Sequence, residues 1–251
     1  MPSAASRSVR AMVGFAILAG ITAVGHTAQI DLAAPRIIIG AQASAMERLM
    51  ARELCRCLGR VTGKQAAIET DDAVGGGGEA SAIVLLDVAG NNRLAAEIES
   101  RENLAVGASA LGADGFRWKA TTCQGKPAVL IAAAKPAGVM YGVYQLLEKI
   151  GCGFYLAGDT FPPAGTPLLV AGSLDEARKP VFAVRGTLPW GNLLNAYWDL
   201  EDWKFYFDQL SKDRVGTKLE KNVPKRAPFS YLGGKFKSLK NILSSEKALL
   251  K

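Results

Sequence analysis

A two-layer α/β sandwich built on a mixed sheet is the fold this sequence predicts, and three patterns carry the prediction. Short apolar runs over 36–40, 82–87 and 128–133 are rich in strand formers and bounded by turn residues, as buried strands are. Between them, over 44–58 and 137–150, apolar residues return every three to four positions, which is the helical period. One further stretch, 115–122, alternates apolar and polar side chains and meets the 128–133 run through Gln124-Gly125. That pairing is a hairpin, so the sheet is mixed rather than doubly wound and parallel.

In order, the chain opens on Arg7 and Arg10, an uncharged apolar run over 11–24, and small residues up to Ala28. This is the pattern of a secretory leader occupying residues 1–28, with cleavage after Gly25 or Ala28. The run falls short of the about 20 apolar residues that span a bilayer. The expectation is a secreted or periplasmic protein with no stable membrane span after processing.

The strand at 36–40 leads into Ser44-Ala-Met-Glu47, a capping box, and a helix whose apolar face is Met46, Met50, Leu54 and Leu58. Arg48, Arg52, Arg56 and Arg60 fall elsewhere on it, and Gly59 or Gly63 ends it. The stretch from Gly59 to Lys64 is one residue short of a phosphate-binding loop, and Gln65 stands where that loop needs Ser or Thr. It reads as a helix-to-strand turn into a strand over 65–70. Residues 71–80, with four consecutive glycines, read as a surface loop. A strand at 82–87 and a short helix over 93–101, with Leu94 and Ile98 inward, precede the hairpin.

The helix after the hairpin carries Val139, Val143, Leu147 and Ile150 on one face, Lys149 in its last turn and Gly151 at its cap. Gly138 and Gly142 lie four apart on it. Each costs about 1 kcal/mol against Ala in a helix, and a close helix-to-sheet approach is the compensation expected.

Charge and histidine content exclude whole classes of chemistry. The formal charge is +7, but residues 212–251 hold eleven Lys or Arg against three Asp or Glu. What remains of the body is mildly acidic, so no nucleic-acid partner is expected for it. His26, within the leader, is the only histidine. Ser-His-Asp and Cys-His nucleophilic systems, His-based zinc sites and His acid-base work all fall away. No metal or cofactor is expected. Of the four cysteines, Cys55 and Cys57 sit two apart on a helix and point away from each other; buried free thiols are the favoured reading.

The motifs GADGFRW at 112–118, AVLIAA at 128–133, PAGVMYGVYQLLEKIGCGFY at 136–155 and FPP at 161–163 together resemble the amino-terminal accessory domain of α-glucuronidases and bacterial β-hexosaminidases. The most specific part is the Gly-Val-x-Tyr-Gly-x-Tyr-x-Leu-Leu-Glu run at 138–148. The resemblance implies the α+β fold of the second hexosaminidase domain, over residues 29–175, ahead of a (β/α)8 barrel. Pro180 to Gly186 resembles the Pro-x-Phe-x-x-Arg-Gly entry into the first barrel strand. Asp199 then caps a helix with Leu200, Trp203, Phe207 and Leu210 on one face. Asp199, Glu201 and Asp202 are explained by capping and dipole complementation rather than catalysis. Residues 176–212 are therefore expected to be an incomplete barrel start.

Residues 213–251 lose the strand alternation, and the stretch after Pro180 is far shorter than the about 250 residues of a barrel. A short extension, a nucleic-acid-seeking arm or a frameshifted end all fit this basic tail, with the frameshift favoured. In the families resembled, carboxylates on later barrel strands break the glycosidic bond, and hexosaminidases also use the substrate's own acetamido oxygen. No catalytic residue is assigned here. The expected function is the non-catalytic, amino-terminal part of an exported glycoside hydrolase acting on a glucuronoxylan-like or amino-sugar glycan. The alternative is a stand-alone periplasmic carbohydrate-binding or interaction module. The resemblance further implies sugar contacts by Arg185, whose fork suits vicinal hydroxyls or a uronate, and by Trp190 and Asn192, for each of which core or loop packing is the favoured reading. For Arg185 the competing reading is an ion pair bridging the domain boundary.

Overall fold

The computed structural model describes residues 29–73, 80–155, 158–182, 185 and 199–212. The leader, the glycine run of the 71–80 loop and the basic tail lie outside the described residues. In chain order the elements begin with β1 (Gln29–Asp31), β2 (Arg36–Ile39), α1 (Ala45–Thr62), β3 (Ala67–Thr70), β4 (Ile83–Val88) and α2 (Arg93–Arg101). They continue with α3 (Ala108–Leu111), β5 (Phe116–Cys123), β6 (Lys126–Ala133), α4 (Pro136–Lys149), β7 (Gly153–Tyr155) and β8 (Gly158–Thr160). The last are β9 (Leu169–Ala171), β10 (Asp175–Arg178) and α5 (Leu200–Lys212).

The central sheet has the order β10-β5-β6-β4-β2-β3. β3, β2, β4 and β6 run parallel, and β5 and β10 are antiparallel additions at one side. The mixed α/β sheet expected from the hairpin is thus present. Its central strands are buried on both faces, because successive residues divide between two cores. Ile37, Val84, Leu86, Val129 and Ile131 pack with α1 and α4, whereas Ile38, Ile83, Leu85 and Leu130 pack with Leu94, Ala95 and Ile98 of α2. The structure therefore places α2 on the reverse of the main helix-sheet layer pair. β10, a charged strand with no apolar alternation, carries the sheet to Arg178.

Local chemistry sets the helix ends. Ser44 N–H donates to Glu47 Oε2 at 2.7 Å and Glu47 N–H to Ser44 Oγ at 3.3 Å, completing the capping box. Gly63, at φ 68°, caps α1 rather than Gly59, and its N–H donates to the Gly59 carbonyl. At the end of α4, Gly151 takes φ 100°, with Gly151 N–H on Glu148 O at 2.9 Å and Cys152 N–H on Leu147 O at 3.0 Å. These two bonds make a Schellman motif.

The close approach predicted for α4 is present. A Cβ on Gly138 would lie 2.3 Å from the Gly115 carbonyl oxygen, and one on Gly142 2.6 Å from Ile131 Cγ2. Trp118 Nε1 uses the same proximity to donate to Gly142 O at 3.1 Å within the core. α4 is thereby locked on the hairpin, which orients the chain leaving β10.

Candidate functional site

Arg185 is the one sequence-assigned contact residue within the described structure, and the fold holds it in place. α4 buries Tyr141, and the turn before β5 presents Asp114 beside it. Arg185 Nη2 donates to Asp114 Oδ2 at 3.0 Å, Nη1 to Phe182 O at 3.4 Å, and the guanidinium carbon lies 5.2 Å from the Tyr141 ring centroid. Cation, carboxylate and ring tie the segment after β10 back to the hairpin and α4. Trp190 and Asn192 lie outside the described residues.

A second cluster fastens α5. Asp199 Oδ1 accepts from Glu201 and Asp202 N–H at 2.8 and 2.9 Å, and Asp202 Oδ2 accepts from Asp199 N–H at 3.0 Å. These acids cap the helix, as their first-turn position predicts. At the other end, Lys212 pairs with Asp159 of β8 at 3.0 Å and with Asp208 at 2.7 Å. Gln209 Nε2 at 3.3 Å and Arg56 Nη2 at 3.2 Å also donate to Asp159. Burial opposes the charge on Asp159, yet Lys212, Gln209 and Arg56 together hold its carboxyl below the usual value. Nothing in the local sequence marks this pair, whose members are 53 residues apart.

The side chains of Asp87 and Glu99 share a hydrogen bond. Asp87 is fully buried and accepts from Gly90 and Asn92 N–H at 2.8 and 2.7 Å. Burial, reinforced by the Asp87 charge, pushes Glu99 up to about 7. Two carboxyls of unequal proton affinity are what glycoside hydrolysis requires, but these lie between β4 and α2, where Asn92 caps the helix by accepting from Leu94 and Ala95 N–H. Asp87 shapes the β4–α2 turn, and Glu99 of α2 hydrogen-bonds to it. Among the described residues no group of three His, Cys, Asp or Glu is placed to hold a metal, and the four cysteines are free thiols, three of them buried. No described helix is long and apolar enough to cross a membrane.

A six-stranded mixed sheet with a glycine-notched helix laid on its hairpin defines a domain of the kind associated with glycoside hydrolases. The family model described as Glycosyl hydrolase family 67 N-terminus matches residues 21–146, half of the chain, and the chain belongs to that family.

Among solved structures, a family GH115 4-O-methyl-α-glucuronidase with specificity for decorated arabinogalactans is similar at a TM-score of 0.50 and 17% identity, over 75% of this chain and 25% of that one. The GH20 β-N-acetylhexosaminidase from Streptomyces coelicolor A3(2) matches at 0.38 and 24% identity, over 61% of this chain and 24% of its own. The Streptomyces plicatus N-acetyl-β-hexosaminidase matches at 0.36 and 20%, over 64% and 26%. The chain spans about a quarter of each, and identities this low speak for the fold alone. No curated protein matches the sequence.

Proposed function

We propose that this chain is the non-catalytic accessory domain of an exported, carbohydrate-active glycoside hydrolase, with residues 1–28 as its leader and residues 176–212 as the entry to a catalytic barrel. Membership of the family 67 amino-terminal group carries the reading. The placement of the described acids supports it, since Asp87 and Asp199 serve backbone amides and Asp114 and Asp159 are in ion pairs. A glucuronic acid-decorated or amino-sugar glycan is the substrate of the whole enzyme in this reading. Sugar contacts by Trp190, Asn192 and Arg185 belong to it too. The Asp114 pair gives Arg185 a second task, fixing the direction in which the chain enters the barrel. Val181 and Phe182, 91% and 71% exposed beside it, are apolar surface for that barrel to cover.

A chimera tests the proposal: this chain through Lys212 replaces the corresponding segment of a family 67 α-glucuronidase. Retained release of glucuronic acid is the expected result. A chimera that folds cooperatively but has lost turnover overturns it.

A further inference from the structure

The surface between α1 and the edge strand β3 carries two arginines, Arg48 and Arg52, that neither the fold nor the barrel entry uses. Arg48, Arg52, Arg56 and Arg60 recur every fourth residue along α1, so they form one stripe with about 6 Å between successive members. Arg56 is taken by Glu53 and Asp159, and Arg60 lies 4.7 Å from the Phe161 ring centroid. Arg48 and Arg52 are exposed, and among the described residues no carboxylate pairs with either. They overhang an open groove of two adjoining hollows, about 430 and 500 Å³, which share Arg52 and Ile68. Ile68, 40% exposed, forms an apolar strip in it between Gln65 and Thr70. The groove's own acid, Glu69, is already paired with Arg36 at 3.4 Å.

A ligand matching this surface is extended and anionic, with apolar faces between its charges. Guanidinium forks take carboxylates bidentately, and the C–H faces of pyranose rings suit an aliphatic strip. The hollows are lined by no aromatic side chain, which disfavours single-stranded nucleic acid, whose bases need stacking partners. β3 offers only four residues of edge, too little ladder for an acidic peptide to gain much by strand addition. We infer that the α1–β3 groove binds a uronate-bearing polysaccharide, holding substrate beside the catalytic domain. The inference rests on the carbohydrate reading above and adds a site and a ligand charge to it.

The test is calorimetric titration of the full chain with oligogalacturonate, with neutral xylo-oligosaccharide and poly-glutamate as comparison ligands. Saturable binding of the uronate ligand, weakened by added salt and lowered about tenfold or more in R48A/R52A, is expected. R48K/R52K, which keeps charge but not the fork, should fall between. Both variants should keep the parent thermal transition, because the two side chains are exposed. Absence of saturable uronate binding, parent affinity in R48A/R52A, or equal affinity for poly-glutamate each overturns the inference. The chimera reads the parent function independently of this groove: an active chimera with no uronate binding removes the groove alone, and an inactive folded chimera with Arg52-dependent binding removes the accessory-domain reading alone.

Discussion

Lys212 Nζ stands 3.0 Å from both carboxylate oxygens of Asp159, with the lysine side chain only 5% exposed. This pair fastens α5 to the β7–β8 hairpin. Phe154 lies under the ammonium at 5.7 Å, so the charge sits against an aromatic face rather than in water.

Asp159→Asn removes the carboxylate and leaves Lys212 with Asp208 alone. The expected cost is about 2 kcal/mol in denaturant unfolding, with faster amide exchange confined to α5. The sign with pH follows from the lowered pKa of Asp159. Its contribution is complete above the ordinary value of 3.8 and is lost as pH falls through the lower folded value. The protection factors of the α5 amides, which remove the intrinsic pH dependence of exchange, should therefore fall in acid in the parent and show little further change in the variant.

Gly142→Ala and Gly138→Ala test the notch in α4. Either alanine gains about 1 kcal/mol of helix propensity, but its Cβ meets Ile131 and Phe116 at position 142, and the Gly115 backbone at position 138. Overpacking of this kind costs about 2 kcal/mol or more. Both variants should have a lower Tm, and G138A the lower of the two, since backbone yields less readily than a side chain.

Glu99 makes stability depend on pH in the opposite direction from Asp159. Its pKa, raised by burial from 4.5 to about 7, means that the folded chain prefers the protonated carboxyl. That contribution is full below about 4.5 and is lost as pH rises to about 7. Glu99→Gln should reduce the slope, the remainder belonging to the Asp87 carboxyl that burial also raises, and raise Tm at pH 8 by about 3 °C, a gain of about 1 kcal/mol. A variant whose stability retains the parent's slope between pH 5 and 7, a window taken from those two values, contradicts the assignment.

Burial pushes the Cys57 thiol up to about 12 and Cys152 up to about 11. Both should resist alkylation in the native chain at pH 8. After denaturation without reductant, mass spectrometry should find all four cysteines alkylated, and any pair that stays unmodified would be a disulfide.

The elements legible in sequence were those whose local and tertiary signals agree. Ser44 and Glu47 cap α1 as their spacing requires, the Gln124-Gly125 turn joins β5 to β6, and Gly138 and Gly142 mark the tightest helix-sheet contact. β10 was not legible, because Asp175, Glu176 and Arg178 carry no apolar alternation and are held by partners on other elements. Asp175 meets Arg117 and Lys119, and Glu176 meets Lys149. The face covered by α2 was underread for a related reason: Ile38, Ile83 and Leu85 alternate with residues that are equally apolar, so a strand buried on both sides shows no period. At the candidate site, the residue type of Arg185 was readable from its motif. Its Asp114 partner, 71 positions away, depends on chain folding alone.

The most direct measurement is turnover by the purified chain itself on aryl glucuronides and aryl N-acetylhexosaminides, with its fold verified by circular dichroism. The account predicts no sugar release above buffer at any pH. Saturable release of glucuronic acid or N-acetylhexosamine, abolished by a single carboxylate-to-amide substitution within residues 29–212, would contradict it.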